Sequence, residues 1–384
     1  MKIFQILIVG AGPAGYFATQ AFQNRETEGL NFKIDLVEKL PTPWGLVRSG
    51  VAPDHQKIKS ISKIFEKISQ HKNFRLFANV KIDLDSQIEE LIKNYDAVIL
   101  AIGASRGKKL NIQGENLLNV FSSAEFVPWY NAHPDFESLK VNFSSNRAVI
   151  IGSGNVALDV ARILVKDVDE LSKTDINLQA LGLLKSSKIK EVVICGRRGP
   201  ENCKFSLNEL RDLSKLHDIS INFDEKEVSE SIVRLEKENS KDFTEIKNKL
   251  DFMLNVAKQN DEKCAKKIIF KFSLRPVSIE GSEKVRSVKF VSDENPSISS
   301  DDSKNELEID CGLVVSCIGY ETESFNKIES ENGKLKNVDG KIFSNLYCVG
   351  WAKRGSSGVI GTNKSDAIDV VKLIIEELSI PKNT

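Results

Sequence analysis

The stretch Ile3–Phe17, IFQILIVGAGPAGYF, decides the fold. Its first seven residues are an apolar run dense in Ile and Val, as expected of a strand buried on both faces of a parallel sheet. Gly10, Gly12 and Gly15 follow as GAGPAG, and Tyr16–Phe22 continues at helical spacing. In such a turn Gly10 permits the tight bend, Gly12 lets the backbone approach a pyrophosphate, and Gly15 lets the helix pack on its strand. The helix N-terminus adds free amides and the positive end of its dipole. Residues 33–38 (KIDLVE) read as the next strand, with Glu38 at its tip. That is where an acid accepts bonds from ribose hydroxyls, about 20 residues past the turn.

The pattern recurs. Arg147–Leu164 reads RAVIIGSGNVALDVARIL, a strand to Ile151 and then Gly152, Gly154 and Ala157 in the turn; residues 191–195 (EVVIC) supply its second strand. One glycine fingerprint is weak, but two, each between a strand and a helix, are strong. The fold class is therefore α/β, with two Rossmann-like, doubly wound nucleotide-binding domains. At the end of the second strand of the repeat an NAD enzyme would offer Asp or Glu to the ribose 2′-hydroxyl. This chain offers Gly196-Arg197-Arg198. Two guanidinium forks match the 2′-phosphate of NADP, which an acid would repel.

With 384 residues, two or three domains are expected. The chain is 41% hydrophobic and 28% charged, which excludes a disordered or collagen-like chain. Lys+Arg and Asp+Glu both total 54, so no overall field draws it to nucleic acid or to a membrane. No apolar run is long enough to cross a bilayer. The first strand starts almost at Met1, leaving no room for a leader, so the cytoplasm is the expected compartment. The six cysteines (195, 203, 264, 311, 317, 348) include no CxxC, and the four histidines include no HExxH. No metal is expected, and the cysteines read as small reduced hydrophobes.

Elsewhere, Asp96–Ala101 reads as a strand closed by Ile102-Gly103-Ala104, and 225–267 as solvated helix. Strands are expected at 268–274, 286–291, Cys311–Ile318 and Leu346–Val349, a polar surface loop at Ser292–Asp310, and a last helix from Gly358 to Leu378.

Leu40–Lys57, LPTPWGLVRSGVAPDHQK, is an irregular loop with three prolines, two glycines and Trp44. Here the sequence closely resembles the adrenodoxin reductase family of NADPH:ferredoxin oxidoreductases, through Gly45–Arg48 and Gly50–His55. The resemblance resumes at Gly152–Leu164, at Gly196–Pro200 (GRRGP), and around Asn208-Glu209-Leu210-Arg211. It returns at Ser316–Tyr320 (SCIGY) and Tyr347–Asp366 (YCVGWAKRGSSGVIGTNKSD). The blocks run in order over nearly the whole chain.

The resemblance implies a glutathione reductase-like architecture: a discontinuous FAD domain, 1–105 and 320–384, and an NADP domain, 106–319. It puts FAD on Gly10, Gly12, Ala14 and Gly15, with Glu38 on the adenosine ribose. Leu46 and Val80 would line the cofactor, Ala101 and Gly103 would close over its pyrophosphate, and Trp351, Gly358, Val359 and Ile360 would flank the isoalloxazine. Gly358 would open a helix whose amides stabilise charge on the reduced ring. NADPH would meet Ser153, Gly154, Asn155, Val156, Arg197, Arg198 and Glu209. His55 and Glu209 are the catalytic candidates, for orienting groups or moving protons. The family more often has Gln or a similar residue at Ser153. Trp351 follows Gly350, where disulfide reductases usually have Asp.

The implied activity is hydride transfer from NADPH to FAD and single-electron transfer to an acidic iron–sulfur ferredoxin, by a monomer. Lys185, Lys188, Lys190, Lys204, Arg211, Lys353 and Arg354 are candidates for a basic docking face. Alternatives are an NADPH-dependent flavin reductase or oxidase with another acceptor, or a non-catalytic flavin sensor, which would not need Arg197, Arg198 and Glu209 together. A flavin disulfide reductase would need a redox-active cysteine pair beside the flavin, yet the first cysteine is Cys195.

Overall fold

Ile3–Val9 pairs in parallel with Asn31–Val37 on one side and with Ala97–Leu100 on the other. It therefore sits where the strand order reverses, the place at which doubly wound sheets open a crevice beyond the carboxyl ends of their strands. The computed structural model describes residues 3–26, 31–237, 242–259, 264–292 and 306–379. They form two units: Met1–Val51, His55–Arg106 and Gly319–Thr384 in the first, Ala52–Asp54 and Gly107–Ile318 in the second.

The sheet of the first unit runs Lys341–Phe343, Leu346–Cys348, Ala97–Leu100, Ile3–Val9, Asn31–Val37, Phe74–Phe77. Only the Lys341–Phe343 edge is antiparallel. The helix Pro13–Arg25 covers one face, burying Tyr16, Phe17, Ala18 and Phe22. It packs against the long helix Thr362–Ser379. One buried charge in this unit, Asp35, is paired with a two-pronged Arg75 fork at 2.7 Å and accepts a bond from the Tyr95 hydroxyl at 2.9 Å.

The second unit repeats the plan with six parallel strands: Val120–Ser122, Leu313–Ser316, Arg147–Ile151, Glu191–Cys195, Lys266–Lys271, Ile219–Asn222. Again the glycine-bearing strand, Arg147–Ile151, lies between a strand from later in the chain and its own partner. The expected α/β fold class is thus borne out. The stretch read as solvated helix is a pair, Glu225–Lys237 and Phe243–Lys258, the second of which buries Lys249, Leu250 and Met253.

Two expectations fail here. The strand expected at 268–274 is Lys266–Lys271, and Leu274–Gly281 is a separate strand of a three-stranded antiparallel sheet with Val285–Ser292 and Glu306–Asp310. Pro276 disguises it; the proline sits at a register shift, where a strand tolerates a missing N–H. The expected loop Ser292–Asp310 therefore ends in a strand: Ile309 is buried between exposed Glu308 and Asp310, so the alternation was hidden by acidity. Residues 293–305 lie outside the described set.

The interior of the second unit holds an ion-pair network. Arg162 has 4% of its side chain exposed and donates to Asp54 through Nε at 2.8 Å and Nη2 at 3.0 Å. Nη2 also reaches Asp159 at 2.7 Å, and Lys166 donates to Asp54 at 3.0 Å. Burial opposes the Asp54 charge, but the bonds and charge of Arg162 and Lys166 outweigh it and hold its carboxyl well below the usual range. That stability is present above about pH 4, where the unfolded carboxyl ionises, and is lost as pH falls toward the folded value. Asp54→Asn should therefore cost about 3 kcal/mol in urea unfolding at pH 7. At pH 3 the cost should be about 1 kcal/mol smaller. An equal cost at both would contradict the assignment.

Candidate functional site

In the first unit the chain leaves Val9 and turns at Gly10, whose φ is +107°. Gly10 N–H donates to Val37 O at 2.8 Å, and a Cβ there would lie 2.5 Å from Ala101 O. The turn is wedged between its two neighbouring strands, and no larger residue fits. A Cβ on Gly15 would lie 2.1 Å from Gly10 O, so the helix rests directly on the strand end. Pro13 occupies the first helical position, where its missing N–H costs nothing.

Glu38, at the end of the next strand, is buried and accepts from Ala11 N–H at 2.9 Å and Leu40 N–H at 3.0 Å. Each carboxylate oxygen keeps a further lone pair for a hydroxyl donor. The loop after Glu38 folds back over the turn. Trp44 N–H donates to Ala11 O at 2.7 Å, and a Cβ on Gly45 would come within 3.0 Å of Gly12 Cα. Leu46 and Val80 stand beside these contacts with 38% and 43% exposure. Ala101 is buried, whereas a Cβ on Gly103 would meet nothing within 4 Å.

The last glycine-rich segment closes on the same helix: a Cβ on Gly350 would meet the Ala14 methyl at 2.6 Å. Gly350 N–H donates to buried Asp366 at 2.6 Å, and Lys353 pairs with that carboxylate at 3.0 Å. Gly358 does not open a helix. Its φ is +79°, and the helix begins at Thr362, whose hydroxyl accepts from Val359 N–H. Any amide offered by Gly358 is therefore a loop amide. Val359 is 70% exposed. Lys353 and Arg354 also leave the proposed docking face, because both are drawn inward to Asp366. Lys185, Lys188, Lys190, Lys204 and Arg211 are exposed.

The second turn repeats the wedge of the first. Gly152, φ +128°, donates to Cys195 O at 2.8 Å, and a Cβ would lie 2.3 Å from Cys317 O. Gly154 caps the helix Asn155–Val165, and a Cβ there would meet nothing within 4 Å. The loop 204–206 is tied to this turn: Lys204 and Phe205 N–H donate to Ser153 O, and Ser206 N–H to Asn155 Oδ1 at 2.8 Å. The Asn155 side-chain oxygen is therefore spent on the loop, while the backbone amides of Asn155 and Val156 stand at the helix start. Ser206 caps the helix that carries Glu209. Arg197 and Arg198 are exposed at the tip of Glu191–Cys195, and among the described residues neither guanidinium has a hydrogen-bond or ion-pair partner. His55, half-buried, belongs to the first unit and Glu209 to the second.

Sequence reading missed Asp366 and the Thr322 hydroxyl that donates to Gly103 O at 3.0 Å, and gave Arg354 only a docking role. Asp366 closes the last recognised block, which was the available signal. All six cysteines are free thiols. Burial pushes Cys203, Cys311 and Cys348 up to about 12, and Cys195 and Cys317 further still, so none of these five is poised as a nucleophile.

The two kinds of turn glycine separate in a stability test. Gly10→Ala forces a methyl against a carbonyl at positive φ and should lose at least about 2 kcal/mol. Gly154→Ala has open space and ordinary φ, so it should stay within about 1 kcal/mol of the parent. Urea melts showing equal losses would refute this account of the turns.

Comparison with known proteins agrees with this geometry. A model of the pyridine nucleotide-disulphide oxidoreductase family matches residues 4–182. The NADPH-ferredoxin reductase FprA of Mycobacterium tuberculosis is 41% identical over all of this chain and 86% of its own length. The mitochondrial NADPH:adrenodoxin oxidoreductase of Arabidopsis thaliana is 35% identical over 97% of this chain and 82% of its own. Among solved structures, M. tuberculosis FprA in complex with NADPH superposes with a TM-score of 0.89 at 40% identity, covering 98% of this chain and 85% of that one. Lactococcus lactis thioredoxin reductase, 15% identical with a TM-score of 0.53, shares the fold. The chain belongs to the family of NADPH-ferredoxin reductases and NADPH:adrenodoxin oxidoreductases.

Proposed function

We propose that the chain is an FAD-dependent NADPH:ferredoxin oxidoreductase, with FAD on the first glycine turn and NADPH on the second. The observation that carries this reading is the exposed pair Arg197 and Arg198, unpartnered among the described residues, at the strand tip where an acid would mark an NADH enzyme. The first turn fits a dinucleotide: the backbone is bare at Gly12 and Gly103, Glu38 keeps acceptor capacity, and the apolar Leu46, Val80 and Val359 stand exposed for an aromatic ring to cover. A bound flavin supplies the redox chemistry, taking a hydride from nicotinamide and releasing electrons singly to an iron–sulfur carrier.

The protein's own work is placement. The first-turn amides near Ala14 and Gly15 hold the pyrophosphate, while Trp351, Gly358, Val359 and Ile360 border the ring. Gly154, Asn155 and Val156 receive the second dinucleotide through backbone amides, with Ser153 beside them. Glu209, in the first turn of a helix capped by Ser206, accepts from the carboxamide and selects the face that reacts. His55 orients groups or relays protons. The partner is an acidic ferredoxin, met by local basic residues such as Lys185, Lys188 and Lys190, since the net charge is zero.

We place the chain in the cytoplasm as a monomer without membrane or nucleic-acid partners. The free thiols and balanced charge support this, and no helix among the described residues is long and apolar enough to cross a membrane.

Each guanidinium bond to a phosphate contributes about 1.5–3 kcal/mol. Arg197→Ala/Arg198→Ala should thus cut the NADPH-over-NADH preference in kcat/KM by at least about 100-fold, mostly through KM. An unchanged preference would overturn the NADP assignment.

A further inference from the structure

Gly355-Ser356-Ser357-Gly358 is anchored through Ser356 Oγ, which donates to Tyr320 O at 3.0 Å, and at Gly358, where a Cβ would lie 2.8 Å from Thr362 Oγ1. Both glycines adopt positive φ, +78° and +79°, and a Cβ on Gly355 would meet nothing within 4 Å. The peptide between Ser357 and Gly358 is held as well. The Ser357 carbonyl accepts from Trp351 Nε1 at 3.1 Å and from Arg354 Nη1 at 2.6 Å. The carbonyl and N–H of a trans peptide point in opposite directions. The two donors therefore turn the Gly358 N–H away from Trp351 and Arg354, and among the described residues it has no acceptor.

Arg354 is itself built in. Its Nη2 donates to Asn363 Oδ1 at 2.8 Å, its Nε lies 3.6 Å from Asp366, and only 19% of its side chain is exposed. Its charge is spent inside the fold. What remains directed is one N–H from Nη1, aimed at the single carbonyl that sets the loop.

We infer that Arg354 is a positioning residue: with the Trp351 indole it fixes the Ser357–Gly358 peptide so that the Gly358 N–H is a standing donor toward an electron-rich edge of the flavin. The inference rests on the flavin reading above and deepens it. A donor held in place needs no reorganisation when negative charge grows on the ring, so it favours the reduced state. Without the clamp, the peptide between the Ser356 anchor and Gly358 can turn about its flanking bonds, and the donor is lost.

The test uses the FAD-loaded protein and compares Arg354→Met, Arg354→Lys and Asn363→Ala with the parent. Asp366 keeps Lys353 and the Gly350 N–H in all three, so folding has support. Readouts are the flavin midpoint potential, the position of its visible bands and FAD dissociation. Arg354→Met should lower the potential, shift the bands and weaken FAD about ten-fold, the loss of roughly one hydrogen bond. Arg354→Lys, which keeps one donor, should recover part of this. Asn363→Ala, which only loosens the guanidinium, should move the potential the same way by less.

Unmoved potential and spectrum in Arg354→Met, with only a lower melting temperature, would overturn the inference and leave the oxidoreductase standing. If Arg354→Met fails to fold, an unmoved potential in Asn363→Ala overturns it equally. A parent chain that binds no flavin would overturn both.

Discussion

Everything in this structure depends on a glycine placed between two strands at the point where a sheet reverses direction. At Gly10 and again at Gly152 the turn N–H bonds one neighbouring strand at 2.8 Å, while the position of a side chain is taken by a carbonyl of the other. That wedge aims the following helix at the mouth of the crevice. It also leaves backbone amides, rather than side chains, lining the place proposed for the phosphates. The two six-stranded sheets, the helices packed on them, the buried acceptor Glu38 and the exposed guanidiniums are arranged around two copies of one steric constraint.

The copies diverge at the next strand tip. Glu38 in the first unit is buried and drawn to two amides, keeping acceptor capacity for hydroxyls. Arg197 and Arg198 in the second are exposed and, among the described residues, unpartnered. One tip suits an adenosine ribose bearing hydroxyls and the other a ribose bearing phosphate. On the proposed reading, the same backbone plan serves two different dinucleotides through a reversal of charge at the strand tip.

The glycine turns and the strands that feed them were legible because their rules are local: an apolar run, then glycines at fixed spacing. Glu38, Arg197 and Arg198 were legible because strand tips follow from those turns. What escaped is non-local. Pro276 and the acids around Ile309 concealed an antiparallel sheet whose strands find one another only in the folded chain. Lys353 and Arg354 read as surface charge until Asp366, a dozen residues on, claimed both. The helix expected from Gly358 starts at Thr362 because Gly358 takes a positive φ that a helix cannot use. In each case a tertiary partner overrode a local expectation.

The central claim is that two dinucleotide seats in one chain pass electrons from NADPH to an iron–sulfur protein. It is tested most directly by anaerobic titration of the purified, dialysed protein with NADPH, followed by its visible spectrum, and then by addition of an iron–sulfur ferredoxin. The account predicts a yellow protein whose band bleaches with NADPH far faster than with NADH and recovers when ferredoxin is added. A colourless protein, or a flavin that NADPH cannot bleach, would contradict it.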